Sequence, residues 1–119
     1  MDRHTREREL QEQGRALRAE IPEVYQGFAQ LHRAAYSDGE VSSKHKELIA
    51  LGIAISDQCD GCIDSHVRAA HRRGASRQEI VETIGVAIAM MGGPGTVWGP
   101  RAFASYLACL DKNEAPESS

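Results

Sequence analysis

Two cysteines in a C-x-x-C spacing, Cys59 and Cys62, are the residues of this 119-residue chain whose types and positions could do chemistry. His66 follows Cys62 by four positions, and Glu47 lies twelve positions before Cys59 in an otherwise apolar segment. Cysteine thiolates are nucleophiles that form and open disulfides, and a histidine with a carboxylate can move the protons that these steps require. The four residues together indicate a redox thiol site.

Two helices that meet near the cysteines must position these residues. One helical pattern stops at about Ser56, and a second pattern starting around Asp60 places Cys62 in its first turn. Backbone N–H groups without helical partners and the positive end of the helix dipole favour a thiolate there. His66 lies one turn further along the same face, so its imidazole can exchange a proton with the Cys62 sulfur, directly or through one water.

Glu47 is the acidic member of the predicted site. It lies on a helix that should be buried, and an unpaired buried carboxylate is costly. We therefore expect it to pair with the cysteine and histidine residues and to orient His66. Of the two thiols, Cys62 is expected to be the deeper one and to react first, because it shares a helical face with His66 whereas Cys59 precedes the helix.

A zinc site and a pair of inert thiols are the other interpretations of these residues. Zinc could draw on Cys59, Cys62, His66 and His71, but structural zinc sites usually use two ligand pairs brought together by a loop or hairpin. Three of the four would share one helix, and His71 would lie about 180° from Cys62 at roughly 100° per residue. Four ligands cannot converge from that arrangement, so we predict no metal.

The motif residues also carry a resemblance to a known family. Glu47, the segment Cys59-Asp-Gly-Cys62, His66 and the later run RRGASRQEIVETIGVAIAMMGGPGTVWGPRA resemble the alkylhydroperoxidase D-like group within the carboxymuconolactone decarboxylase family. The resemblance covers roughly residues 22 to 110. One difference is Gly61, because the best-known peroxidase members carry a second histidine at that position.

The resemblance implies an activity and a role for each site residue. Cys62 would attack a peroxide, Cys59 would be the resolving thiol that closes the disulfide, and Glu47 with His66 would form a proton relay. We therefore predict a thiol-dependent peroxide reductase that uses a Cys59–Cys62 dithiol/disulfide cycle. It would need an external dithiol as electron donor and no cofactor, neither metal nor flavin. Trimers and hexamers are common in this group, so the resemblance also implies a homo-oligomer.

Two further functions stay open. A decarboxylase-like or isomerase-like enzyme would act on a carbon acid with His66 and Glu47 as acid and base, without thiol turnover, although the two cysteines argue against it. A non-enzymatic redox sensor would use the same disulfide to change the packing of its oligomer. The sequence is compatible with a sensor as well as with an enzyme.

Length and charge narrow the range of functions. A chain of 119 residues fits one domain, and a net charge of −3 gives no electrostatic signature of nucleic-acid binding. The N-terminus lacks the apolar segment of a signal peptide, and no apolar run reaches the ~18 residues of a membrane span. We therefore expect a cytoplasmic protein. In that reducing compartment a close C-x-x-C is more often catalytic or metal-binding than a structural staple.

Helical periodicity with no strand signal predicts an all-α fold, a bundle of five to six helices. We treat residues 1–119 as a single domain with a core over about residues 22–110. A polar helix is expected over about residues 1–20. The acidic, polar segment 111–119 is predicted to be a disordered tail.

Several helices can be placed more closely. An amphipathic core helix is predicted from Pro22, because proline suits the first turn of a helix. The helices near residues 43–55 and 79–91 are apolar on several faces and should bury surface between subunits. A Gly-Gly-Pro-Gly run should end the second of these, and the last helix is predicted to start at Gly99, with Cys109 as a buried core thiol.

Overall fold

The computed structural model describes residues 3–111 and is all-α over that range. Its six helices are α1 (Arg3–Glu20), α2 (Pro22–Tyr36), α3 (Ser43–Ser56), α4 (Asp60–Arg72), α5 (Arg77–Met91) and α6 (Gly93–Asp111). The predicted fold class is therefore confirmed. Of the predicted tail, Asp111 ends α6, and the rest lies outside the described residues. Within this range no helix is long and apolar enough to cross a membrane.

The chain divides into two units, and the first, which ends at Ser37, contains α1 and α2. The Arg18 guanidinium lies over the Tyr25 ring at 5.1 Å and links the two helices. Helix α2 begins at Pro22 as predicted, but it buries none of its residues. Its apolar stripe is exposed and consists of Val24, Phe28 and Leu31. The predicted amphipathic helix is present, but the expectation that it is a core helix is wrong for this unit, because none of its residues is buried.

The second unit begins at Asp38 and contains α3 to α6 around one apolar core. Helix α3 contacts each of the other three helices of this unit. Cys109 of α6 is a buried core thiol, as predicted. The largest fully buried apolar side chains are Leu51, Ile55, Ile63, Val67 and Ile80. This core holds α3 and α4, the two helices that carry the predicted site, in place.

Helices α5 and α6 cross closely because α6 presents glycines to α5. A Cβ atom added to Gly95 would lie 2.7 Å from the Cα atom of Ile88. A Cβ atom added to Gly99 would lie 3.0 Å from Cγ2 of Ile84. Any larger residue at Gly95 would push the two backbones apart, since packed interiors have few voids to absorb the change.

The start of α6 differs from the prediction. The helix begins at Gly93 and not at Gly99, and Pro100 lies inside it. Pro94 falls in the first turn, where backbone N–H groups have no helical partner and a proline therefore loses nothing. The Gly-Gly-Pro-Gly run therefore both ends α5 and begins α6.

Candidate active site

Helix α3 ends in a left-handed turn that leads directly into α4. Gln58 has a φ of 56°, the Gln58 N–H donates to the Ile55 carbonyl at 3.1 Å, and the Cys59 N–H donates to the Ala54 carbonyl at 3.3 Å. Such a left-handed helix end usually carries glycine. The turn makes Cys59 the N-cap residue of α4, which begins at Asp60 as the sequence predicted.

The two motif cysteines form a disulfide across the first turn of α4, with their Cα atoms 5.3 Å apart. The Cys59 sulfur also accepts the backbone N–H of Cys62 at 3.3 Å, so it takes the place of a capping oxygen. Cys62 is exposed and Cys59 is half-buried in the chain. The expectation that Cys62 is the deeper thiol is therefore wrong for the single chain, because the first turn of α4 directs its third residue outward.

Glu47 and His66 meet between α3 and α4. The Oε1 atom of Glu47 lies 2.9 Å from Nδ1 of His66, and the Glu47 side chain is 2% exposed whereas that of His66 is 19% exposed. An ionised carboxylate can only accept hydrogen bonds, so with Glu47 ionised Nδ1 of His66 is the donor of this bond. The expected pairing of the acid with the imidazole is present, and the catalytic role of the two residues stays a prediction.

Helix geometry connects this pair to the cysteines. His66 follows Cys62 by one helical turn, and side chains on a helix lean toward its N-terminus. The imidazole therefore leans toward the turn that carries the disulfide. A buried carboxylate, a half-buried imidazole and an exposed sulfur follow one another in this order. Such an order allows a proton to pass between the surface sulfur and the buried acid.

Contacts between α4 and α6 were missed by sequence reasoning. Nη1 of Arg101 donates to Oδ2 of Asp60 at 3.3 Å, and the Arg101 guanidinium lies over the Trp98 ring at 4.2 Å. One turn further along α4, the Ser105 hydroxyl donates to Asp64 at 2.6 Å. Both hydrogen bonds join residues 41 positions apart, so no local pattern signals them. They fix the first turns of α4, and with them the disulfide, against α6.

Within residues 3–111, no three histidine, cysteine, aspartate or glutamate side chains converge in a way that could hold a metal ion. His71 instead packs its ring edge-on against Tyr106, with ring centroids 6.0 Å apart. The prediction that no metal takes part stays a prediction.

Fold and site together define a class: all-α proteins that carry a C-x-x-C disulfide at a helix N-terminus beside a buried Glu–His pair. The sequence profile of the carboxymuconolactone decarboxylase family matches residues 22–104 of this chain. The chain belongs to the carboxymuconolactone decarboxylase family.

Solved structures and relatives agree with this assignment. A carboxymuconolactone decarboxylase family protein of Legionella pneumophila, in its apo form, is 36% identical, with a TM-score of 0.82 over 86% of this chain and 91% of that chain. A family member of Thermotoga maritima, for which a role in the antioxidative response has been suggested, is 30% identical, with a TM-score of 0.66 over 76% of this chain and 95% of that one. An uncharacterized protein of Cupriavidus necator is 35% identical over 107 residues, which are 90% of this chain and 95% of the relative.

Proposed function

We propose that this protein is a thiol-dependent peroxide reductase that works through a Cys59–Cys62 dithiol/disulfide cycle. The observation that carries the proposal is a C-x-x-C disulfide one helical turn from an imidazole that a buried carboxylate already anchors. The antioxidative role suggested for the Thermotoga maritima relative supports the same chemistry. The cycle needs two thiols, a peroxide and an external dithiol, and no cofactor.

The oxidative step starts with Cys62. Its thiolate attacks one oxygen of the peroxide, an S–O bond forms, and the O–O bond breaks. Nε2 of His66 takes the proton of the thiol and then gives it to the departing oxygen, which leaves as an alcohol or as water. Glu47 stabilises the imidazolium that exists between these two transfers. Cys62 ends the step as a sulfenic acid.

Resolution falls to Cys59. Its thiolate attacks the sulfenic sulfur of Cys62, the S–S bond forms, and the hydroxyl group leaves as water after taking up a proton. The Cys59 sulfur, at the N-cap of α4, accepts a hydrogen bond from the backbone N–H of Cys62. This donor favours the thiolate form of Cys59 that the attack requires. Two electrons pass from the two thiols to the peroxide.

An external dithiol closes the cycle. One of its thiolates attacks the disulfide to give a mixed disulfide, and its second thiol releases the reduced protein and leaves as the oxidised donor. Such donors are maintained in reducing compartments, so we propose that the protein works in the cytoplasm.

We also propose that the protein is a homo-oligomer, a trimer or a hexamer. The two helices predicted to be apolar on several faces leave large apolar side chains exposed. On α3, Ile53 is 57% exposed and Ile49 equally so, and on α5 Met90 is 84% exposed beside Val86. Exposed apolar groups of this size mark surfaces that other protein chains cover. The α2 stripe is a further surface of this kind.

A second candidate function is carbon-acid chemistry of the decarboxylase type, which the paired Glu47 and His66 favour because this pair needs no thiol. A steady-state assay with organic hydroperoxides and several dithiol donors separates the two. The reductase should consume peroxide only when a dithiol is present, and Cys62→Ser should abolish this activity. A carbon-acid enzyme should keep its activity in Cys62→Ser and should consume no peroxide. A redox sensor should form the disulfide once and not turn over.

A further inference from the structure

Ser43 carries an unusual hydroxyl. Over residues 3–111, its Oγ atom is the buried side-chain polar atom that lacks a hydrogen-bond partner, and the residue is 4% exposed. The backbone of Ser43 is firmly held, because its N–H donates to Oδ1 of Asp38 at 2.7 Å. Burying a hydroxyl group without a partner is unfavourable, and buried polar groups are therefore bonded to protein or to ordered water. The Ser43 hydroxyl should have such a partner in solution.

The position of Ser43 on α3 points to that partner. Ser43 and Glu47 are both buried and are four residues apart, so they lie on one face of the helix. Because helical side chains lean toward the N-terminus, the Glu47 carboxylate reaches back over the turn that contains Ser43. Oε1 of Glu47 binds His66, and an ionised carboxylate offers further acceptor positions on its second oxygen.

We propose that Ser43 is a positioning residue for the Glu47–His66 pair. Its hydroxyl donates, through one ordered water, to the second oxygen of the Glu47 carboxylate. No direct hydrogen bond joins the two side chains, and buried water commonly bridges polar groups of this kind. The carboxylate is then held from both sides, by His66 at one oxygen and by the water of Ser43 at the other.

This positioning role of Ser43 rests on the proposed function only as far as it affects the reaction with peroxide. The hydrogen bonds of Ser43 and His66 to Glu47 belong to the resting protein and need no peroxide. A carboxylate that accepts hydrogen bonds from two donors keeps one orientation. The proton on Nδ1 of His66 is then held steadily, and Nε2 remains basic toward Cys62. Without the Ser43 donor, the carboxylate holds the imidazole less firmly, and its support of the imidazolium, and through it of the Cys62 thiolate, is weaker.

The test uses the full-length disulfide form and nuclear magnetic resonance of the His66 imidazole. In Ser43→Ala the Nδ1 proton of His66 should exchange with water at least about threefold faster, since one bridging hydrogen bond is gone. Ser43→Thr keeps a hydroxyl and should restore the slow exchange. Thr83→Val is the matched control, because it removes a half-buried hydroxyl that donates to the Glu79 carbonyl on α5, away from the Glu47–His66 pair, and it should leave the exchange unchanged.

A second readout uses the reduced protein. At neutral pH, Cys62 in a Cys59→Ser background should be alkylated about twofold more slowly in Ser43→Ala than with Ser43 or Thr at this position, because the imidazole supports the thiolate less well. Unchanged proton exchange together with an unchanged alkylation profile in Ser43→Ala would overturn the proposal, whatever happens to stability. Neither readout needs peroxide, so the two proposals can fail separately. If Ser43→Ala changes the proton exchange of His66 but the protein consumes no peroxide, the reductase proposal is wrong and the role of Ser43 is still supported.

Discussion

Oε1 of Glu47 lies 2.9 Å from Nδ1 of His66, although the two residues are 19 positions apart in the chain. The short connection after Ser56 turns α4 back along α3, and the two residues face each other at the same level of the resulting helix pair. The carboxylate is almost completely buried and depends on the imidazole for its hydrogen bond. The strength of this pairing can therefore be measured with variants of the two residues.

The first prediction is that the two partners are energetically coupled. His66→Ala leaves the carboxylate buried and unpaired, and should lower the free energy of unfolding by about 2–4 kcal/mol. Adding Glu47→Gln removes the buried charge and should recover at least about 1 kcal/mol of that loss. Denaturant unfolding of the wild type, both single variants and the double variant measures the coupling. Single effects that simply add would contradict the pairing.

The second prediction concerns acid stability and Glu79. The pKa of Glu79 is lowered from its ordinary value of 4.5, first by the hydrogen bond from the Ser76 backbone N–H and then by Lys44, whose Nζ lies 2.9 Å away. Because the folded pKa lies below the unfolded one, the stabilisation is complete above the unfolded pKa of 4.5 and is lost as the pH falls through the lowered value.

Glu79→Gln tests this, because glutamine can still accept the Ser76 N–H but carries no charge. The wild type should be more stable than Glu79→Gln near neutral pH, and the difference should shrink as the solution is acidified below the folded pKa. Glu82→Gln removes the same charge from an exposed position on the same helix and serves as the control. A difference that stays constant through the acid range, as measured by thermal unfolding, would rule out this linkage.

Helix boundaries could be predicted where residues near them in the sequence mark the start or the end of the helix. Ser42 caps α3 by accepting the His45 N–H at 3.1 Å, and both bonds of the Ser76–Glu79 capping box are present. The start of α4 at Asp60 follows a similarly local change from apolar to polar residues. The need of Glu47 for a partner was also predictable, since the apolar helix around it implied burial and burial of a lone charge is costly.

Features set by tertiary packing could not be predicted in the same way. The exposure of Cys62 depends on which way the first turn of α4 faces, and the buried Ser43 hydroxyl depends on what packs over the first turn of α3. The α2 stripe has the periodicity of a core helix, so its pattern alone could not reveal that its apolar side chains are exposed. The link between Asp60 and Arg101 joins two helices that are far apart in the sequence.

The third prediction concerns Gly61. By the family resemblance, the best-known peroxidase members carry a histidine at this position. A Cβ atom added to Gly61 meets no atom of the surrounding structure within 4 Å, and Gly61 is exposed, so a side chain can begin there without displacing a neighbour. Gly61→His supplies a second imidazole beside the cysteines and should raise the rate of peroxide consumption by at least about fivefold, through added acid–base catalysis. Gly61→Ala should not raise it. Equal rates for the two variants would show that the imidazole contributes nothing.

The fourth prediction concerns assembly. Sedimentation at micromolar concentration should show the wild type as a trimer or a hexamer, because association covers the apolar side chains of α3 and α5. Ile53→Glu places a charge on this surface and should shift the protein to smaller species while its helix content is unchanged. Ser65→Glu adds the same charge at an exposed polar position and should leave the oligomer intact. A stable, folded wild-type monomer at this concentration would contradict the proposal.

The fifth prediction tests the central claim most directly, through the unequal roles of the two motif cysteines. The measurement is the intact mass of Cys59→Ser and Cys62→Ser after treatment of each reduced protein with one equivalent of peroxide. Cys59→Ser should consume the peroxide and carry one oxygen on Cys62 as a sulfenic acid, because no resolving thiol remains and further oxidation would need a second equivalent. Cys62→Ser should stay unmodified and leave the peroxide in solution. An oxygen adduct on Cys59 in Cys62→Ser, with none on Cys62 in Cys59→Ser, would reverse the assignment and contradict the proposed cycle.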